Sequence, residues 1–165
     1  MTHRRWAETR KMLEQDLLCD ALKGRVRYFA TRYRKAHDGV GRVCVLIDGK
    51  EIINMSFFTE VKRYNETYKR REHAPDRSFQ DVFTDVYDDF ANEGKYYAGD
   101  FGFALDEFLS LDIQEALKSD NWLVRMMAIM DRRVGKRTLE KLKPSIPDLP
   151  DWLQYFYNLR IESCS

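Results

Sequence analysis

Asp48-Gly49 lies between two β-rich runs, Arg42 to Ile47 and Glu51 to Phe58, and no other stretch restricts the fold so tightly. Both central positions of a two-residue hairpin turn want φ above zero, so the two runs are predicted to fold back on each other as an antiparallel pair. A two-residue loop sets Val45 near Ile52 and Cys44 near Ile53. Upstream, Arg25 to Arg34 alternates, with Val26, Tyr28 and Ala30 on one face and Arg27, Phe29, Thr31 and Tyr33 on the other. The loop from Lys35 to Gly41 turns the chain between this strand and the next, which makes a three-stranded meander. Both faces carry apolar side chains, so helices are expected to cover much of both.

The flanking segments have helical periodicity. Trp6, Leu13, Leu17 and Ala21, with Met12, Leu18 and Leu22 beside them, form a stripe that Gly24 ends. Residues 59–77 are weak in pattern and rich in charge, with a helical part expected around Val61 to Tyr68. Phe79, Val82, Phe83, Val86, Tyr87 and Phe90 define the clearest helix, capped by Ser78 and closed by Gly94. Asp100 is expected to cap a helix holding Ala104, Leu105, Phe108 and Leu109, and a short one follows from Ser110 to Leu117. Asp120 or Asn121 opens another, with Leu123, Met126, Met127, Met130 and Val134 inward. Pro144, Pro147 and Pro150 read as a stiff extended connector before a last helix with Trp152, Leu153, Phe156 and Leu159. The expected fold is α+β: an N-terminal helix, a three-stranded antiparallel meander, then a mostly helical C-terminal half packed on the sheet. A chain of 165 residues fits one domain, 1–165, in which an α-β-β-β unit (1–58) and a helical part (78–165) share one core.

Charge is unevenly spread. Residues 1–77 carry a net +7, residues 78–119 a net −8, and the remainder +2. Such a dipolar chain favours oriented encounters with a charged partner. Cys19, Cys44 and Cys164 are widely spaced, with no CxxC or Cys/His pair, so no metal site and no cofactor is expected. The N-terminal residues lack the apolar run of a signal peptide, and no stretch approaches a membrane span, which makes the cytoplasm the expected location and a membrane an unexpected partner. No P-loop, GxGxxG, GxSxG or HExxH occurs, so the familiar nucleotide-hydrolase, dehydrogenase and serine-hydrolase chemistries are not expected.

Four groups remain as candidate working parts. Arg25, Arg27, Arg32, Arg34, Lys35 and Arg42 are interleaved with Tyr28, Phe29 and Tyr33; guanidinium forks hold phosphates and aromatics stack on bases, although such charges also protect a sheet edge. His37-Asp38, in a glycine-containing loop, is the one pairing that could supply a general base and its orienting carboxylate. Arg132, Arg133, Lys136 and Arg137 are placed near a helix C-terminus, where they would meet the carbonyl end of the dipole, with Asp131 able to pair with one of them; a phosphate or an acidic partner is the alternative. Asp81, Asp85, Asp88 and Asp89 form an acidic helix face suited to a basic partner.

Several runs carry a resemblance: Leu22-Lys23-Gly24-Arg25-Val26, Thr31 to Asp38, Asp48-Gly49-Lys50-Glu51-Ile52, Met130 to Arg137, and Tyr157-Asn158-Leu159-Arg160. Through them nearly the whole chain resembles a family of small bacterial proteins known by a genome-project placeholder name. The resemblance implies a bacterial, cytoplasmic protein and supplies no catalytic residues. A looser likeness to double-stranded-RNA-binding domains rests on the order α-β-β-β-α, and the spacing departs from that small domain beyond the third strand. The expected function is a non-enzymatic module, immunity- or antitoxin-like or regulatory, that binds another protein through charged faces. RNA or DNA binding by the basic strands is the alternative, and an enzyme using His37 the further one. The sequence leaves the oligomeric state open.

Overall fold

The computed structural model describes residues 5–32 and 41–164, Arg32 by its backbone. Helix α1 (Trp6–Lys11) runs into a π-turn (Met12–Asp16), and a 3-10 turn (Asp20–Leu22) follows. The periodic stripe is therefore not one continuous helix to Leu22. The π-turn carries Glu14 to the open edge of the sheet, where the Tyr28 N–H donates to Glu14 Oε1 at 2.7 Å. An edge N–H that would otherwise lie buried and unpaired is satisfied this way. Gly24, with φ +82°, makes the turn into the sheet.

The meander is β1 (Val26–Arg32), β2 (Gly41–Ile47) and β3 (Lys50–Ser56), antiparallel in the order β1-β2-β3. Asp48 and Gly49 both take positive φ, 51° and 81°, as the turn requires. The expected register is off by one beyond the turn: Val45 faces Ile53 and Cys44 faces Asn54, because a bulge between Val45 and Leu46 takes up an extra residue of β3. The first strand's faces are as the alternation predicts, with Val26 and Tyr28 buried and Arg27 and Phe29 exposed.

Two expectations about the sheet are overturned. The third strand stops at Ser56, and Phe57-Phe58 open a helix. Helices also pack on one face alone among the described residues. Helix α4 (Ala98–Ser110) lies on β2 and β3, whereas Arg27, Phe29, Glu51 and Asn54 of the opposite face are exposed. Cys44 points to that outer face yet is 1% exposed, beside an Arg42–Glu51–Asn54 cluster in which Glu51 accepts from both neighbours.

Helix α2 (Phe57–Glu72) and helix α3 (Phe79–Asn92) make a hairpin; α4, α5 (Ile113–Ala116), α6 (Trp122–Met130), α7 (Lys136–Leu142) and α8 (Asp151–Glu162) complete the chain. Pro144 and Pro147 lie in a 3-10 helix (Lys143–Asp148) rather than an extended connector, since a fixed φ near −65° suits that geometry too. Asp100 does not cap α4 from outside. It sits in the first turn and accepts the Tyr97 N–H at 2.8 Å. Helix α6 is buried nearly all round and lies between α4 and α8. One contiguous core joins α1, the sheet and α4 to α8.

The core holds Tyr28, Tyr96 and Tyr157, with Tyr87 packed against it. Burial pushes each phenol above its ordinary value of 10, that of Tyr87 up to about 12. An unfolded chain gives up these protons from pH 10 onward, while the fold holds them. The stability they contribute is complete below pH 10 and is lost as pH rises above it, that of Tyr87 as pH climbs through about 12. Urea midpoints are expected to be flat from neutral pH to 10 and to fall steeply above it, with tyrosinate absorbance from these four rising only as the chain unfolds. Their ionisation in the intact fold at pH 10 would contradict this.

Candidate functional site

Helix α2 is built inside out. Its two buried residues are polar, Arg63 and Thr67. Its large apolar residues face solvent: Phe58 is 72% exposed, Tyr68 58%, Tyr64 43% and Val61 39%. Phe57, Val61, Tyr64, Tyr68 and Arg71 follow alternate spacings of four and three, which on a helix is one continuous seam. A seam of this kind ordinarily turns toward a core. Here it turns outward, and large exposed apolar patches mark places where something else docks.

Contacts of Arg63 and Arg70 with α3 and α4 fix that orientation. The Arg63 guanidinium lies 5.0 Å from the centre of the Tyr87 ring and donates to Asp100 Oδ2 at 2.9 Å. The pair ties α2 to α4, with the two side chains only 3% and 13% exposed. Thr67 sits one turn further on and returns its hydroxyl proton to the Arg63 carbonyl at 2.8 Å. Arg70 reaches Asp89 of α3 at 2.7 Å while also holding Glu66 at 2.9 Å. Once these polar groups are inward, the periodicity forces the aromatic seam out.

Helix α3 widens the face. Phe79 stacks on Tyr64 with ring centres 6.1 Å apart and lies 5.3 Å from Tyr68; Phe83 lies 5.3 Å from Tyr64. The rings brace one another, which restricts their conformational freedom.

The residues singled out by sequence are dispersed. Arg25 is held by Asp48 through two bonds of 3.0 and 2.8 Å, which also keeps the Asp48 carboxyl below its usual range. Arg42 is paired with Glu51 at 3.1 Å. Arg27 is exposed with no ion-pair partner among the described residues, next to Phe29, itself 46% exposed. Arg32 lies in β1, and Arg34, Lys35, His37 and Asp38 fall outside the described residues. On α3, Asp85 pairs with Arg77 at 2.6 Å, Asp89 with Arg70, and Asp81 accepts from the Ser78 hydroxyl at 2.7 Å; Asp88 is exposed. The acidic face and the basic segment before it are thus partly spent on each other.

The helix-end placement holds for Arg132 and Arg133, which follow Asp131, the C-cap of α6, and is corrected for Lys136 and Arg137. Helix α6 stops at Met130. Arg133 folds back on the buried Asp131 carboxylate at 3.0 and 2.9 Å, in a turn held from behind by Arg160 donating to the Val134 carbonyl. Lys136 and Arg137 open α7, at the end of a dipole that repels them. Arg132, Lys136 and Arg137 are exposed.

Elsewhere the polar groups do structural work. In the hollow between α4 and α5, Glu107 takes the Ser119 hydroxyl at 2.6 Å, tying the loop to α4, and Glu115 takes the Asp112 N–H at 3.1 Å as part of the α5 capping box. Among the described residues, no three His, Cys, Asp or Glu side chains gather as metal ligands, and no helix is long and apolar enough to cross a membrane. The aromatic face was missed by sequence reasoning, although its four-three spacing was there to be counted.

No curated protein and no solved structure matches this chain. One family does, along residues 5–161, and the chain therefore belongs to the SF0329 protein family.

Proposed function

We propose that this protein is a non-catalytic interaction module that docks another protein on the aromatic face of α2 and α3. One observation carries the reading: α2 buries Arg63 and Thr67 and exposes Phe58, Val61, Tyr64 and Tyr68. Aromatic side chains of this size dominate binding energy where they are covered at the centre of an interface. The charged groups take a supporting part, since the exposed Asp88, Arg132, Lys136 and Arg137 bias the approach of a partner rather than hold it. An immunity-like, antitoxin-like or regulatory role in a bacterial cytoplasm is the setting in which such a module fits, and the three free thiols accord with a reducing compartment.

Nucleic acid is the second reading, favoured by the exposed Phe29 beside Arg27 on the open sheet face. One experiment separates the two. The tagged chain is recovered from its native cells and scored for bound protein and nucleic acid together, at low and physiological salt. Bound protein that persists at the higher salt and is lost in Tyr68→Glu supports the aromatic face. Nucleic acid released as salt rises, and indifferent to Tyr68→Glu, replaces it with the sheet.

A further inference from the structure

The occupant of the aromatic face is fixed by the charges beside it, and we infer that it is a second copy of this chain, packed with its own α2 antiparallel to the first. This rests on the docking role proposed for α2 and α3 and names the partner. The seam has two flanks. On the outer flank, Lys62 stands near the helix start and Glu72 at its end, ten residues and about 15 Å apart, with Asn65 and Lys69 between them. Neither Lys62 nor Glu72 has an ion-pair partner among the described residues. On the other flank Glu60 stands at the start and Arg71 at the end. The buried Arg71 Nε has no hydrogen-bond partner among the described residues.

An antiparallel two-fold answers Lys62, Glu72, Glu60 and Arg71 at once and sets Lys69 against the neutral Asn65 of the other copy. It brings Lys62 of each copy to Glu72 of the other, and Arg71 of each to Glu60 of the other. A shift that centres the axis near residue 66 serves both flanks and sets Tyr64 against Tyr68 of the other copy. A parallel pairing would set Lys62 on Lys62 and Glu72 on Glu72, which repels. An isologous contact needs this kind of self-complementary patch: an apolar centre and, on each flank, opposite charges at opposite ends. The exposed Phe58, which lies on the outer flank, then covers the new Lys62–Glu72 pairs.

The test is the solution mass by light scattering and sedimentation velocity, from micromolar to near-millimolar chain. The expected result is a dimer that dissociates on dilution. Tyr68→Glu weakens it by at least about thirtyfold, the loss typical of a central aromatic anchor. Lys62→Glu weakens it too, by setting like charges together, and adding Glu72→Lys to that variant restores the original mass. Both residues are exposed, so the fold survives each change, which far-UV circular dichroism confirms. A monomer at every concentration overturns the proposal, and so does a dimer indifferent to Tyr68→Glu or unrescued by the charge swap. If the chain is monomeric yet retains a different protein that Tyr68→Glu releases, the docking face stands and the second copy is refuted. If it is monomeric and retains nothing, both fall.

Discussion

Asp100→Ala is expected to cost about 3–5 kcal/mol, because it strands the Arg63 guanidinium between α2 and α4 with no counter-charge. In a domain of this size that loss lowers the melting temperature by about 6–20 °C. The origin is desolvation. Arg63 gives up water for one carboxylate, one ring face and no acceptor at Nε. Removing the carboxylate leaves the positive charge in the core, and the Tyr97 N–H loses its acceptor as well. Replacing both members, in Arg63→Met with Asp100→Leu, removes the stranded charge and is expected to recover part of the loss, so the cycle is strongly non-additive. Urea unfolding of the two single variants and the double measures it. Losses that simply add would show that the two side chains do not act as a pair.

Phe108→Ala is the second large effect. Phe108 is 1% exposed on α4, and its deletion leaves a hole beside Leu13, Tyr28 and Met127. Such a truncation costs about 3–5 kcal/mol, part from lost transfer energy and part from the cavity. The Arg133 guanidinium, 5.9 Å from the ring centre, loses its contact too. Phe103→Ala, five residues earlier on the same helix, is the control. That ring is 63% exposed, and its loss is expected to stay within about 0.5 kcal/mol. Equal losses at the two positions would mean that α4 turns a different face to the core.

These contrasts explain what was legible in the sequence. The Asp48-Gly49 turn, the alternation of β1 and the stripe of α3 each obey one local rule, and each is in place. The bulge at Val45/Leu46 is a tertiary adjustment with no local signature, so the register beyond it was off by one. Helix α6 was readable because its Met and Leu residues point to an apolar core. Helix α2 was not. Arg63 and Thr67 look like surface residues, and only Tyr87 and Asp100, from two other helices, make burial tolerable. Its aromatics look like core for the same reason. The dipole argument for Lys136 and Arg137 failed on a boundary: the chain ends α6 at Met130 and starts α7 at Lys136, so the charges stand at the opposite pole. Charge territories read along the chain also overstated the fields in space, because Arg70–Asp89 and Arg77–Asp85 join the basic stretch to the acidic one.

The candidate site divides in the same way. Types of residue were legible, and their engagement was not. Nothing in the sequence distinguishes Arg25, clamped by Asp48, from Arg27, which has no such partner two residues later.

The central claim is that the aromatic face of α2, the seam with Phe58 at its flank, points outward to be covered by a partner, and one paired measurement on Phe58→Ser with Tyr68→Ser tests it: melting temperature and bound partner, the second copy included. The account gives a melting temperature of the dissociated chain within about 2–4 °C of the parent, since surface changes cost little, together with loss of association. A fall as deep as that of Phe108→Ala, or association that persists undiminished, would mean that these rings are interior or idle and would contradict it.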